Sequence, residues 1–85
     1  MDLSKTMRDT IMIMQEHGEL MRYEGGFWSW DNVETKPLYN GGKIIGTVPV
    51  WYCSVITLRA LEKRGLVTLF EEQKICRLNL FQKLI

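Results

Sequence analysis

The chain has 85 residues, of which 46 % are hydrophobic, and a formal net charge of +1. This length predicts one domain spanning residues 1–85, and the hydrophobic fraction excludes a disordered chain. No run approaches the roughly 20 apolar residues that cross a bilayer, and the N-terminus lacks the pattern of a signal peptide. We therefore expect no membrane association and a cytoplasmic location.

The charge is divided unevenly along the chain. Residues 1–40 carry four Lys or Arg and seven Asp or Glu, whereas residues 41–85 carry seven and three. The C-terminal half is therefore basic, which fits either an anionic partner or attraction between the two halves.

The first predicted element is a helix over residues 4–17. Ser4 suits the N-cap, and Gly18 suits the position just beyond the last turn. Apolar residues recur at helical spacing on one side. They are Leu3, Met7, Ile11 and Met14, and Met12 and Ile13 widen this apolar surface.

Strands are expected in "ELMRYEGGFWSW", residues 19–30. Gly25 and Gly26 either turn a tight hairpin or form a bulge in a single strand. Trp28 and Trp30 are two residues apart, so they share one face if this segment is a strand.

The segment "DNVETKPLYNGGK", residues 31–43, is predicted to be a loop because Pro37 and Asn-Gly-Gly are turn signals. The next run, "IIGTVPVWYC", has the residue types of a strand, but Pro49 also suits the first turn of a helix. We predict the second helix over about residues 50–64, with a start as late as Ser54 left open.

Gly65 is expected to end this helix in a left-handed conformation. Two alternating apolar runs follow, residues 66–70 and 75–81, joined by the polar "EEQK". The predicted fold is α+β. It is a small winged-helix-like domain with two main helices, a β-strand or hairpin between them, and a C-terminal two-stranded wing.

The stretch "TLRALEKRGLV" resembles the end of the last helix and the start of the wing in the winged helix-turn-helix family. Its matching residues are Leu61, Gly65, Leu66 and Val67. The chain is also similar to very small phage and prophage proteins through Thr57, Ala60, Leu61, Arg64, Gly65 and Leu66. The first resemblance implies a winged helix, and the second implies a phage or prophage origin and no activity. Residues 31–46 show no convincing helical period, so the supporting helix of that family is expected to be one turn or absent.

DNA binding is the function that the winged-helix resemblance implies. A helical wheel places the candidates of the last helix on one side, and two further candidates, Lys74 and Arg77, lie at the turn and on the outer face of the wing. The six candidates are Tyr52, Ile56, Arg59, Lys63, Lys74 and Arg77. Arg59 and Lys63 could meet base edges or phosphates. Glu62, Glu71 and Glu72 lie among these cations, so an ordinary solvated face remains an open alternative.

The aromatic content suggests a different role. Three Trp, three Tyr and three Phe are many for a small core, so some could form a protein-binding surface. Trp28, Trp30 and Trp51 are the interface candidates, although each could be a core residue instead. A homodimer, using the first helix or the aromatic strand, would bury the surplus and set two helices at a spacing suited to DNA.

No catalytic residue, metal site or cofactor is predicted. The lone His17 suits the end of a helix, and Cys53 and Cys76 lack metal-ligand spacing and are expected to be reduced core residues. We therefore predict a small DNA-binding or transcription-regulating protein and no enzyme. The alternative is an adaptor that binds a protein and no nucleic acid.

Overall fold

The computed structural model describes residues 3–79, which form two helices and six strands. In chain order these are α1 Lys5–His17, β1 Leu20–Tyr23, β2 Phe27–Trp30, β3 Thr35–Asn40, β4 Lys43–Pro49, α2 Val55–Lys63, β5 Val67–Phe70 and β6 Ile75–Leu78. Residues 80 and 81 of the last predicted strand lie outside the described residues. No helix in the described part is long and apolar enough to span a membrane.

Four strands form an antiparallel sheet in the order β2-β1-β6-β5. A Gly-rich turn joins β1 to β2, and both Gly25 and Gly26 have positive φ angles, 89° and 85°. The predicted hairpin over residues 19–30 is thus confirmed, with Leu20 opposite Trp30. β6 lies between β1 and β5, so the last described strand joins the first hairpin in one sheet.

The core lies between one face of this sheet and the two helices. Its members are buried apolar residues from all of these elements, namely Met14, Leu20, Trp28, Cys53, Leu58, Leu61, Val67 and Cys76. Leu58 and Leu61 lie one turn apart on the inner side of α2, and both are fully buried. Burial of each such side chain contributes roughly 1.5–3 kcal/mol, and this packing holds α2 against the sheet.

Both helices begin at a serine cap. The Ser4 hydroxyl accepts a hydrogen bond from the Met7 amide at 3.2 Å, as the sequence predicts. α2 begins after Ser54, whose hydroxyl accepts from the Thr57 amide at 3.4 Å. The helix start at about residue 50 is wrong, and the later start is confirmed. Cys53 lies outside the helix because it exchanges two backbone hydrogen bonds with Trp28, at 3.0 and 3.1 Å.

The predicted loop over residues 31–43 is wrong, because most of it belongs to the β3–β4 hairpin. Gly41 and Gly42 form its two-residue turn with φ angles of 60° and 82°. Positive φ at both positions gives a turn whose twist matches that of paired strands. The pairing runs from Thr35 opposite Pro49 to Asn40 opposite Lys43, with a bulge near Leu38.

The winged-helix architecture is contradicted by this structure. The chain is rich in strands, which form two antiparallel sheets, one of four strands and one of two. β5 and β6 pair with each other, but β6 also pairs with β1. β5 is therefore the edge strand and β6 an interior strand of the four-stranded sheet, and the two do not form a separate wing. A hairpin occupies the part of the chain where a supporting helix would precede α2. The fold is therefore α+β with a projecting hairpin.

Candidate interaction surface

The β3–β4 hairpin exposes four large apolar side chains near its tip. They are Leu38, Tyr39, Ile44 and Ile45, with exposed fractions of 42 %, 60 %, 63 % and 60 %. Only the base of the hairpin is covered, where Val48 is buried. Two strands alone are marginally stable in water, and an apolar patch of this kind is unusual on a monomer. The hairpin therefore has the properties of a surface that another molecule covers.

Both faces of the hairpin are apolar. Tyr39 and Ile44 are cross-strand partners and share one face. Leu38 and Ile45 line a groove of about 360 Å³ together with Phe27. Leu38 and Tyr39 are successive strand residues, so the groove lies on the opposite face from Tyr39.

This groove separates the β4 strand from the turn between β1 and β2. Glu24 and Gly25 of that turn line one side of it, and Gly46 and Thr47 of β4 line the other. Its walls therefore combine apolar side chains with one carboxylate. Glu24 makes no hydrogen bond or ion pair with another residue in the range 3–79.

The hairpin itself is basic. Residues 35–50 include Lys36 and Lys43 and contain no acidic residue. Within the described chain, the Lys43 ammonium has no hydrogen-bonding or ionic partner. The hairpin is thus suited to a partner that offers a carboxylate beside an apolar surface.

The strand edges differ in how they are protected. At the β5 edge, a Glu62 carboxylate oxygen accepts a hydrogen bond from the Leu69 amide at 3.0 Å. On β3, Pro37 has no N–H to offer to an added strand. β4 has no proline before Pro49, and its residues 43–47 are exposed. β4 carries the extra residue of the hairpin's bulge, Ile45, and a bulge also protects an edge from pairing with another strand.

Of the predicted DNA-facing residues, Ile56 and Arg59 are exposed on α2, whereas Tyr52 lies before the helix begins. Ile56 is 73 % exposed, and the Tyr52 ring packs edge-to-face on Phe27 at 4.5 Å. The Arg59 guanidinium bonds Glu71 at 2.7 Å, and this hydrogen bond and the charge of Glu71 raise the pKa of Arg59.

The other three cationic candidates lie at the end of α2 and on the β5–β6 hairpin. Lys63 is exposed at the end of α2, and Lys74 lies in the β5–β6 turn with a φ of 59°. Arg77 bonds Glu19 at 2.8 Å and lies over the Phe70 ring. Two of the six candidates are thus paired with acids of the fold.

The three interface candidates lie at different depths. Trp28 is a core residue that is 2 % exposed. Trp30 and Trp51 are half-buried, and their rings lie 6.1 Å apart. The His17 ring also stacks on Trp30, with ring centroids 3.9 Å apart and an interplanar angle of 7°. These aromatic residues therefore cover the end of α1 and pack largely against one another.

The two thiols are buried and free. Burial raises the pKa of Cys53 from 9.0 to about 11 and that of Cys76 to about 12. A thiol with so high a pKa is protonated at neutral pH and is a poor nucleophile. Among residues 3–79, no group of His, Cys, Asp or Glu side chains could hold a metal ion.

The sequence interpretation missed Tyr39, Ile44 and Ile45. A signal for them was present, because Gly41-Gly42 between residues of high strand propensity is a dipeptide that favours a two-residue hairpin turn. The signal was overlooked because Pro37 was interpreted as a loop residue. Proline also occurs in edge strands, and β3 is an edge strand.

No family model, curated protein or solved structure matches this chain. These comparisons therefore give no indication of the winged helix-turn-helix family or of a phage origin.

Proposed function

We propose that this chain is a non-catalytic protein-interaction module whose binding element is the β3–β4 hairpin. One observation carries the proposal. The hairpin presents Leu38, Tyr39, Ile44 and Ile45 to solvent on a ribbon that has little core of its own. Covering these side chains would remove apolar surface from water and would give the ribbon the packing that it lacks.

The electrostatics favour a protein partner over DNA. Arg59 and Arg77 bond Glu71 and Glu19, so each of these cations is accompanied by an anion. A phosphate-binding surface works by uncompensated charge, and acids at these positions oppose it. The exposed side chains near the hairpin tip are instead mainly large and apolar. DNA binding through α2 stays a prediction with less support.

The two buried, unpaired thiols fit a reducing compartment. A cytoplasmic location accordingly belongs to the proposal.

Site-specific photo-crosslinking tests the proposal and needs no assumption about which protein the partner is. A benzoylphenylalanine replaces Tyr39 in one variant and Lys63 in another, because both positions are exposed. After illumination of the cells that make the protein, position 39 is expected to give a discrete protein adduct and position 63 none. Adducts to nucleic acid at position 63, with none at position 39, would overturn the proposal in favour of DNA binding.

A further inference from the structure

We infer that the cavity between α2 and the β1–β2 hairpin binds a small organic molecule through a single carboxylate group. This site is separate from the β3–β4 hairpin, so the inference goes beyond the proposed function and does not depend on it. The cavity has a volume of about 390 Å³ and is bordered by Arg22 and Trp28 of the strands and by Val55 and Arg59 of α2. Small-molecule sites have volumes of roughly 300–1,000 Å³, so this cavity is large enough for a small acid.

The first support is the unpaired charge of Arg22. This residue is directly opposite Trp28 in the β1–β2 pairing, so its side chain lies on the face of the sheet that carries the core. The neighbour on its other side is Lys74, a second cation, whose backbone oxygen accepts a hydrogen bond from the Arg22 amide at 3.1 Å. Among residues 3–79, the Arg22 guanidinium has no hydrogen-bonding or ionic partner. An anion in the cavity would supply the partner that the fold does not.

The second support is the charge balance of the lining. Arg59 brings a second guanidinium to the cavity, and its 2.7 Å ion pair with Glu71 holds this group beside it. Two arginines and one glutamate leave one net positive charge. A carboxylate matches this charge and accepts two parallel hydrogen bonds from a guanidinium. A phosphate dianion brings a second negative charge close to Glu71, so the lining favours the carboxylate.

The third support is the apolar part of the wall, which the carbon skeleton of the ligand would contact. Val55 is half-buried there, and the Trp28 ring lies behind it in the core. Gly26 adds no side chain, and a Cβ at this position would meet no atom within 4 Å, so the space beside the β1–β2 turn is open. These walls suit a short aliphatic or aromatic acid, whose apolar part packs on Val55 while its carboxylate binds Arg22.

Titration with benzoate at constant ionic strength, followed by nuclear magnetic resonance, tests this inference. Benzoate should shift the signals of the Arg22 Nε–H group and of the Gly26 and Val55 amides in a saturable way, with a Kd of about 1–10 mM for a molecule of this size. Benzamide has nearly the same shape and no charge, so it should bind at least about tenfold more weakly. Inorganic phosphate should also bind more weakly than benzoate, because Glu71 opposes its second charge.

Two variants that each remove one positive charge locate the site. Arg22→Gln should weaken benzoate binding by about tenfold or more, because it removes the unpaired guanidinium. Lys63→Gln is the matched control, since Lys63 is exposed at the end of α2 and does not line the cavity, and it should leave the Kd unchanged. Both side chains are exposed, so the fold is expected to survive, and the remaining amide signals check this.

An absence of saturable shifts at benzoate concentrations tenfold above the expected Kd would overturn the inference. Equal binding of benzamide, or tighter binding of phosphate, would overturn it without relying on any variant. Unchanged benzoate binding by Arg22→Gln would also contradict it, because the anion would then be bound elsewhere. None of these results changes the crosslinking expected at position 39, so the proposed function is tested separately.

Discussion

The raised pKa values of the Cys53 and Cys76 thiols make the stability of the folded chain depend on pH. Burial is the main cause that raises the pKa of Cys53 from 9.0 to about 11, and the same cause raises Cys76 to about 12. The unfolded chain therefore loses these protons at a lower pH than the folded chain. Stability is fully present below pH 9.0 and is lost as the pH rises through the folded pKa values.

We expect the free energy of unfolding to fall by on the order of 2 kcal/mol between pH 9 and pH 11 from Cys53 alone. Urea unfolding across this range measures it. A Cys53→Ala variant should lose that part of the slope, although removal of a buried side chain lowers its stability at neutral pH. An unchanged slope in the variant would show that Cys53 does not contribute.

Gly65 decides the geometry of the junction between α2 and β5. Its φ is 76°, which residues with a Cβ rarely adopt, and the chain enters β5 two residues later. Gly65→Val should cost more than about 1 kcal/mol, because a β-branched residue is strained at positive φ. Gly46→Ala is the control, since Gly46 has no positive φ and an added Cβ would meet no atom within 4 Å. Thermal unfolding compares the two, and equal losses would contradict this account of the junction.

Local chemistry determined how far the sequence could predict these elements. Ser4, Gly18 and Gly65 start or end a helix through contacts with residues less than one helical turn away. Both ends of α1 and the end of α2 could therefore be predicted from residue type alone. The start of α2 did not, because Cys53 is held extended by Trp28, which is 25 positions earlier in the sequence. The hairpin was missed where Pro37 and Asn-Gly-Gly fit both a loop and an edge strand with a tight turn.

At the scale of the molecule, the prediction of a winged-helix fold is wrong for a topological reason. The phrase around Gly65 describes a helix that runs into a strand, and the structure contains this local arrangement. It carries no information about which strand lies beside β6, and here β1 occupies that position. A dimer through the first helix or the aromatic strand remains a prediction, but Trp28 is in the core and the exposed apolar residues cluster on the hairpin.

The hairpin also sets the shape of the chain, whose longest dimension is 48 Å against 26 and 21 Å. The most direct test of its role is the native mass of the protein taken from the cells that make it, by size-exclusion chromatography with light scattering. Ile45→Thr on the hairpin is compared with Ile56→Thr on α2, because these isoleucines are 60 % and 73 % exposed and neither substitution disturbs the core. We expect wild type and Ile56→Thr to elute as a complex, and Ile45→Thr to elute at the 10.0 kDa of a single chain. A complex that survives Ile45→Thr and is lost in Ile56→Thr would contradict the account, and would place the binding surface on α2.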